Sequence, residues 1–485
     1  MSPYILFAFI IAYFSVLLGV AFYTSRGSNN HTFFIGNKNS NWMLVAFGMI
    51  GTSLSGVTFI SVPGTVGFNH FTYFQVVLGY FIGYFVVAYI LLPLYYRLNL
   101  TSIYNYLGQR FGANSYKTGA LLFIVSRTMG ATLRLYLVIN VMQLFILDAL
   151  GVPFIATTFF ILLMILLYTF KGGVKTIVYT DTLQTFFMLL ALVVCVVYIL
   201  NYLNLGFGQA IDELNKLNFT EMFVTDAMDK KFFLKQIIGG AFITVTMTGL
   251  DQEMMQKNIS VKTLGDSQKN MISFSTVMVL VNLLFLVLGG LLYLYAADKG
   301  LNVKGDDLFP TIALQYLPPA ISVIFIIGLI SALFPSADGA ITALTSSFCI
   351  DILGINKDKS LSEAQQSKKR ITVHLTFAFI FLLCVMYFKW LNNKSIINIL
   401  LDIAGYTYGP LLGLFAFGIL TKRSINDKLA PFVCLLAPAL CYAIQLNSSS
   451  IFGAYQIGIE MLILNGALTF AGLWGISKKS ETSPI

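Results

Sequence analysis

The stretch GMIGTSLSGVTFISVPGTVG at residues 48–67 has the apolar character of a membrane span but a composition that interrupts helices. It holds five glycines, one proline and six serine or threonine residues, and glycine and proline both weaken a helix. A second stretch, IIGGAFITVTMTG at residues 237–249, has a similar composition. Small residues also serve simply to let helices pack closely, but two such stretches favour a pair of broken helices.

The composition of the whole chain excludes a soluble globular protein. Of its 485 residues, 57% are hydrophobic and 11% are charged, whereas soluble domains carry about 25% charged residues. The net charge is +9, but the lysines and arginines fall in short loops, which indicates membrane orientation and no nucleic-acid partner. The five cysteines and three histidines are scattered, so neither a disulfide framework nor a site for a metal other than sodium is expected.

Apolar segments of about 20 residues, the length that crosses a bilayer as a helix, recur along the chain. They lie at about 4–23, 43–67, 72–96, 119–147, 152–170, 179–202, 236–256, 271–296, 310–350, 371–390, 396–420, 429–446 and 454–475, which makes 13 if 310–350 is one long or broken helix. No cation precedes the first segment, so we expect an uncleaved span with its N-terminus outside. The loops then predicted inside hold 20 lysines and arginines and those outside hold 8, which favours a C-terminus inside.

Ten of the predicted spans form two groups of five, at about 43–202 and 236–420. An odd number of spans per group forces opposite orientations, as in an inverted repeat, and the two quoted stretches open the two groups. Interrupted segments at corresponding positions predict a transporter site near the middle of the membrane. With the first helix and the last two helices (429–475), the repeats form a single transmembrane domain, 1–476; residues 477–485 are expected to be a disordered tail.

Several charged residues lie within predicted spans, where a charge costs at least about 2.5–3.5 kcal/mol and often serves function. Asp181 and Asp338 are candidates for holding a cation or a transferable proton. Arg134 is a candidate for binding an anionic group of a solute, because guanidinium matches the geometry of a carboxylate. The alternative for Arg134 is an internal salt bridge, for example with Asp402. Arg127 lies two turns before Arg134 and is a weaker candidate.

Five motifs resemble the sodium/solute symporter family, whose members carry sugars, sialic acid, proline, vitamins, monocarboxylates and iodide. They are TSIYNYLGQRF (101–111), GGVKTIVYTDTLQ (172–184), GLDQEMMQKNISVKTLGDSQKN (249–270), FCIDIL (348–353) and GYTYGPLLGLFAFGILTKR (405–423). The resemblance covers about residues 1–475. It implies an all-α polytopic membrane protein of the LeuT type, a 5+5 inverted repeat with about 13 transmembrane helices.

The resemblance also implies a sodium site between the first span of the first repeat and the long segment at 310–350. Its ligands, carried over onto this chain, are Gly51, Leu54, Ala332 and Ser336. Pro335 is a departure, because the family usually has a hydroxyl residue there. Asp181 and Asp338 fall at or near a second sodium site, where two carboxylates would compensate for the lost hydroxyl or would take a proton instead.

The substrate positions that the resemblance implies lie beside the two expected helix breaks. They are Ser55, Thr58, Gln75, Arg134, Thr244, Thr248 and Asp402. Arg134 sits one turn from where a sialic-acid carrier of the family has its carboxylate-binding arginine. We therefore expect a sodium:solute symporter that imports a small solute, an organic anion, by alternating access. It is expected to be no enzyme and to need no cofactor beyond sodium as the coupling ion.

The expected setting is a multi-pass protein of the plasma membrane, in a bacterial inner membrane, with no obligate protein partner. Two alternatives stay open. A proton-coupled carrier of the same fold is indicated by Asp181 and Asp338. A non-transporting sensor would need an attached signalling domain, and the tail after about 476 is expected to be too short for one.

Overall fold

The computed structural model describes residues 3–26, 40–355, 360–391 and 396–479, and most of them are helical. The helices of the first half are α1 (Pro3–Thr24), α2 (Trp42–Ser53), α3 (Gly56–Asn69), α4 (Tyr73–Arg97), α5 (Asn105–Arg110), α6 (Ala113–Leu150), α7 (Phe154–Thr169), α8 (Thr176–Tyr202) and α9 (Phe207–Lys216). Those of the second half are α10 (Phe233–Gly249), α11 (Gln252–Ile259), α12 (Leu264–Asp298), α13 (Leu308–Thr311), α14 (Pro319–Ile352), α15 (Glu363–Leu391), α16 (Ile396–Leu420), α17 (Ala430–Leu446), α18 (Ser448–Phe452) and α19 (Met461–Gly475).

Both predicted helix breaks are present. α2 and α3 are bent by 54° across Leu54 and Ser55, and α10 and α11 are bent by 65°. Asp251 fixes the second break, because its carboxylate accepts hydrogen bonds from the N–H groups of Glu253 and Met254 and so caps α11. The prediction of two broken helices is confirmed.

Eight helices are long and apolar enough to cross a membrane, or ten if each bent pair is one span. The shorter apolar helices α7, α17 and α19 coincide with three further predicted spans. The count of 13 and the orientation stay predictions. The segment predicted at 310–350 is divided, since the chain leaves the helical path before Pro319, and α14 begins there.

The predicted spans at 152–170 and 179–202 are separate helices, α7 and α8. Gly173 divides them with φ 53° and ψ −145°, a left-handed backbone conformation that residues with a Cβ rarely adopt. α14, the most buried of the eight long apolar helices, packs against these two helices, α6 and α2. The core of the protein therefore surrounds α14, which carries Asp338.

Small residues of the second quoted stretch also allow close packing between helices. α10 packs tightly against α4. A Cβ added at Gly240 would lie 2.4 Å from the carbonyl oxygen of Val76, and one added at Gly79 would lie 2.1 Å from that of Ile237. Gly240 therefore allows α10 to pack closely against α4, whereas the break between α10 and α11 lies at Leu250 and Asp251.

A loop outside the spans holds the start of α6. The carboxylate of Asp427 accepts hydrogen bonds from the N–H groups of Asn114 and Ser115, both at 2.8 Å, and from both side chains. The same loop carries Ser424–Ile425, which pairs antiparallel with Ser477–Lys478. The first residues of the expected tail thus form a short strand, and residues 480–485 lie outside the described part of the chain.

Candidate functional site: a polar cavity between the broken helices

A cavity of about 100 Å³ lies between the two broken helices. Ser55 and Thr58 line it from the start of α3, and Thr244 and Thr248 line it from α10. The other lining residues are Thr52, Ser53, Val57, Tyr73, Tyr80, Tyr84, Arg127, Arg134, Ile243, Met247, Met254, Met278, Asn282, Leu400 and Leu401. The structure thus brings together five of the seven residues predicted to bind substrate.

Arg134 lies on the wall of this cavity, on α6, and is 8% exposed. Among the described residues no carboxylate lies within 4 Å of its guanidinium, and its Nε has no hydrogen-bond partner. Asp402, the alternative salt-bridge partner, lines a different cavity. Because an unpaired buried charge is costly, the site favours a ligand with a negative group.

Arg127, two turns earlier on α6, is neutralised instead. Its Nη2 donates to Glu253, and its Nη1 lies 3.8 Å from Asp251 Oδ2. The Tyr408 hydroxyl also donates to Asp251, at 3.0 Å. Of the two arginines on the cavity wall, only Arg134 therefore keeps its charge available to a ligand.

The rest of the cavity wall is largely apolar and aromatic. Tyr73 and Tyr80 lie two turns apart on α4, with their hydroxyl oxygens 3.4 Å apart. Methionine, isoleucine and leucine side chains from α10, α11, α12 and α16 face the same space. A solute bound here would meet one guanidinium without a carboxylate partner in the described structure, the hydroxyls of serine, threonine and tyrosine residues, and apolar surface.

A second ionic cluster lies where α11 packs against α2 and α8. Lys257 Nζ donates to Asp181 Oδ2 at 2.7 Å, to Thr52 Oγ1 at 2.7 Å and to Glu253 Oε1 at 3.4 Å. All of these side chains are buried, with Asp181 and Lys257 at 0% and 3% exposed. Asp181, predicted to bind sodium, is thus paired with an ammonium, although its Oδ1 has no hydrogen-bond partner in the described structure.

Asp338 is fully buried in α14. The Tyr168 hydroxyl donates to its Oδ2 at 2.6 Å, and the N–H of Gly339 donates to its Oδ1. No lysine or arginine nitrogen of the described ranges lies within 4 Å of it. A buried carboxylate in this position suits a cation or a proton.

The four residues predicted for the first sodium site lie on two adjacent helices. Gly51 and Leu54 are at the end of α2, where Leu54 (φ −82°, ψ 36°) leaves the helical conformation. Ala332 and Ser336 are on α14, which packs against α2. Pro335 has no N–H to donate along α14, so the helix has a carbonyl without its usual partner near this point.

Two predicted substrate residues lie away from the central cavity. The Gln75 side chain donates to the carbonyls of Thr72 and Lys231 and accepts from the N–H of Val224, so it holds a loop in place. Asp402 lines a second cavity, of about 250 Å³, together with Lys230. The two cavities share the lining residues Tyr73 and Leu401. A solute that passed between them would contact Asp402 in the second cavity and Arg134 in the central cavity.

Sequence reasoning missed the partners of the charged residues. Lys257 was assigned to an inside loop, but it is buried in α11. The motif GLDQEMMQK (249–257) places three charges, Asp251, Glu253 and Lys257, close together just after an apolar stretch. Three charges beside an apolar span were an available signal, because charges at such depth are paired.

The model of the sodium:solute symporter family matches residues 33–430. The chain belongs to the sodium:solute symporter family. It is therefore a sodium-coupled solute transporter and not an enzyme, and sodium is its coupling ion. The family resemblance seen in the motifs is confirmed.

Relatives in this symporter family match nearly the whole chain. The sodium/sialic acid symporter NanT of Aliivibrio fischeri is 23% identical, over 95% of this chain and 92% of its own. The sodium-coupled monocarboxylate transporter 1 of Mus musculus is 26% identical, over 86% of this chain and 69% of its own. The structure of an outward-open, substrate-bound Na⁺-coupled sialic acid symporter superposes with a TM-score of 0.84 at 19% identity, covering 98% and 99% of the two chains, so the fold is shared.

Proposed function

We propose that this symporter imports a small organic anion with sodium by alternating access, and that Arg134 binds the carboxylate. The observation that carries the proposal is the buried guanidinium of Arg134, which has no counter-ion among the described residues and faces the cavity between the two broken helices. Guanidinium binds carboxylate through two parallel hydrogen bonds. Relatives that carry sialic acid and monocarboxylates make an anionic solute consistent with the family.

The lining also narrows the kind of anion. Because Arg127 is paired with Glu253, the described lining of the cavity offers one positive charge without a carboxylate partner, which suits a monoanion. The lining combines nine hydroxyl-bearing residues with apolar and aromatic side chains, so it suits a solute that carries both hydrogen-bonding groups and apolar surface.

Sodium is proposed to bind at Gly51, Leu54, Ala332 and Ser336. Backbone carbonyls at the break of α2 and beside Pro335 would supply oxygen ligands, which are the ligands that broken helices present to sodium in this class of carrier. Sodium bound from outside would stabilise the outward-open state. The inward drop of sodium free energy then drives uptake, and a monovalent ion gains about 2.3 kcal/mol per 100 mV.

The membrane arrangement is part of the proposal. The eight long apolar helices, the two bent pairs and the three shorter apolar helices together give 13 spans, with the N-terminus outside and the C-terminus inside. Residues 1–476 would form one transmembrane domain in a bacterial inner membrane. α1 precedes the repeats at about 43–202 and 236–420, and α17 and α19 follow them.

The test is stabilisation of the purified protein by candidate anions. Thermal unfolding is measured in sodium and in potassium at equal ionic strength, with a panel of monocarboxylates and with the corresponding uncharged amides. We expect a carboxylate to raise the melting temperature in sodium, because a ligand of the folded state stabilises it by mass action. The amide should have no effect, and Arg134→Gln should abolish the rise.

Stabilisation by amides and carboxylates alike, or an equal rise in Arg134→Gln, would contradict an anion site at Arg134. Arg127→Gln is not a suitable control, because it would leave Glu253 unpaired. Arg110→Gln is suitable, since Arg110 donates to loop carbonyls far from the cavity.

One observation favours a second candidate, coupling to protons. Asp338 is a buried carboxylate with no ion pair in the described structure, and a carrier of this fold with such a group could exchange a proton through it. Uptake driven by a pH gradient in the absence of sodium, and lost in Asp338→Asn, would support this candidate against sodium coupling.

A further inference from the structure

We propose that the ammonium of Lys257 takes the place of a second sodium ion, so that the protein binds one sodium ion in each transport cycle. The inference rests on the proposed function for its sodium site at α2 and α14. It goes beyond that function because it names the side chain that sets the number of coupled ions.

The three hydrogen-bond donors of the ammonium are matched by three acceptors. A lysine ammonium has three N–H donors and no acceptor. Lys257 Nζ lies 2.7 Å from Asp181 Oδ2, 2.7 Å from Thr52 Oγ1 and 3.4 Å from Glu253 Oε1. These are oxygen ligands of the kind that sodium uses, drawn from α8, α2 and α11. Lys257 thus sits in an oxygen cage as a bound monovalent cation would.

Charge argues against a sodium ion beside this ammonium. The Asp181 carboxylate is already paired, at 2.7 Å, and the whole cluster is buried. A second monovalent cation on the free Oδ1 of Asp181 would lie within a few ångströms of the ammonium, in a medium that screens charge poorly. Lys257 and a sodium ion therefore compete for one carboxylate.

At residues 335, 338 and 339, α14 also offers a second ion beside this cluster no side-chain oxygen that is free of a hydrogen bond. Pro335 and Gly339 have no side-chain oxygen, and both oxygens of Asp338 already accept hydrogen bonds, from Tyr168 and Gly339. A Cβ added at Gly339 would lie 2.2 Å from Glu253 Oε1. The Glu253 side chain that contacts Lys257 thus fills the space that a hydroxyl residue at 339 would need.

The test counts sodium ions on the purified protein. Binding of radioactive sodium-22 is measured to saturation by equilibrium dialysis, on protein shown to be monodisperse by size-exclusion chromatography. We expect one ion per chain in the wild type and in Lys257→Arg. In Lys257→Gln, removal of the tethered charge should free Asp181, and we expect the count to rise to two.

A double variant identifies where the gained ion binds. Lys257→Gln combined with Asp181→Asn removes both charges together, so no unpaired carboxylate is left at that position, and the count should return to one. Folded Lys257→Gln that still binds one ion would overturn the proposal. So would a rise to two that persists in the double variant.

The number of sodium ions bound by the wild type tests the inference even if Lys257→Gln does not fold. Two ions per wild-type chain would overturn this inference and leave the proposed function standing. One ion supports it. No bound sodium at saturating concentrations would contradict the sodium site in the proposed function, which is a different failure and is distinguishable from a count of two.

Discussion

Arg134 and Arg127 lie two turns apart on α6 and have opposite electrostatic surroundings. Glu253 and Asp251 neutralise Arg127, whereas Arg134 faces a cavity without a carboxylate partner in the described structure. The same residue type therefore has a structural role in one turn and the proposed binding role in another. What separates the roles is α11, which brings two carboxylates to one arginine only.

Removing the charge of Glu253 is expected to destabilise the fold strongly, because it leaves buried charges without their partner. Glu253→Gln leaves Arg127 with Asp251 as its one remaining carboxylate partner in the described structure and removes one negative charge from beside Lys257. Breaking a buried pair costs about 3–5 kcal/mol of unfolding free energy. A large fall in melting temperature in detergent is the expected result. Glu213→Gln, which breaks the exposed pair with Lys216, is the control and should change nothing measurable; similar effects of both variants would contradict this role.

The charged residues that are candidates for the site were predictable from the sequence, but the side chains that pair with them were not. Asp181, Asp338 and Arg134 were identified because a charge inside an apolar segment is costly. The partner of Asp181 is Lys257, 76 residues later in the chain, and only packing of α11 against α8 brings them together. Lys257 lies just beyond a predicted span, so the hydropathy pattern placed it in a loop.

At the scale of elements, composition predicted the two broken helices, and local chemistry set where they break. Glycines and hydroxyl residues mark both stretches, but the second break falls at Leu250 and Asp251, where a carboxylate caps α11. The division of 310–350 was left open because hydropathy does not show where a helix restarts. Pro318 and Pro319 mark where the helix restarts, because proline is favoured in the first turn of a helix.

The contact of α10 with α4 depends on glycine. Gly240→Ala would place a Cβ 2.4 Å from the Val76 carbonyl oxygen, so the helices must separate. We expect a loss of about 1–3 kcal/mol, as for other overpacked sites, measured as a lower melting temperature. Gly208→Ala on α9, where a Cβ would meet nothing within 4 Å, is the matched control and should be neutral or slightly stabilising. A neutral Gly240→Ala would contradict the close contact.

The start of α6 depends on Asp427. Burial disfavours the charged carboxylate, but hydrogen bonds from Ser115 and Asn114 outweigh burial and lower the pKa of Asp427. A lowered pKa in the folded state means that this stabilisation is complete above the unfolded value of about 3.9 and is lost as the pH falls through the folded pKa. Asp427→Ala should cost about 0.5–2 kcal/mol near neutral pH.

Thermal unfolding of wild type and Asp427→Ala over a series of pH values checks this cap. The difference between the two proteins should be constant above about pH 5 and shrink in stronger acid. Asp427→Asn, which keeps an acceptor for the backbone N–H groups, should fall between them. A difference that grows in acid would contradict the assigned role.

At the scale of the whole molecule, the family, the helical fold and the membrane location were predictable, because apolar segments and motif order are properties of the chain alone. Charge in the loops supports the orientation: without the buried Lys257, Arg370 and Lys235, the predicted inside loops hold 18 lysines and arginines and the outside loops hold 7. The shape of the cavity was not predictable. The resemblance implies that Gln75 and Asp402 bind substrate, but neither lines the cavity between the broken helices.

We expect a sodium gradient to drive uptake of a monocarboxylate that is bound by Arg134. The measurement is uptake of the best-stabilising labelled anion into proteoliposomes, with an inward sodium gradient or an equal potassium gradient. We predict concentrative uptake in sodium only, reduced at least about tenfold in Arg134→Gln by loss of a charge-assisted hydrogen bond and retained in Arg110→Gln. Uptake that is equal in potassium would contradict sodium coupling, and uptake that is unchanged in Arg134→Gln would contradict anion binding by Arg134.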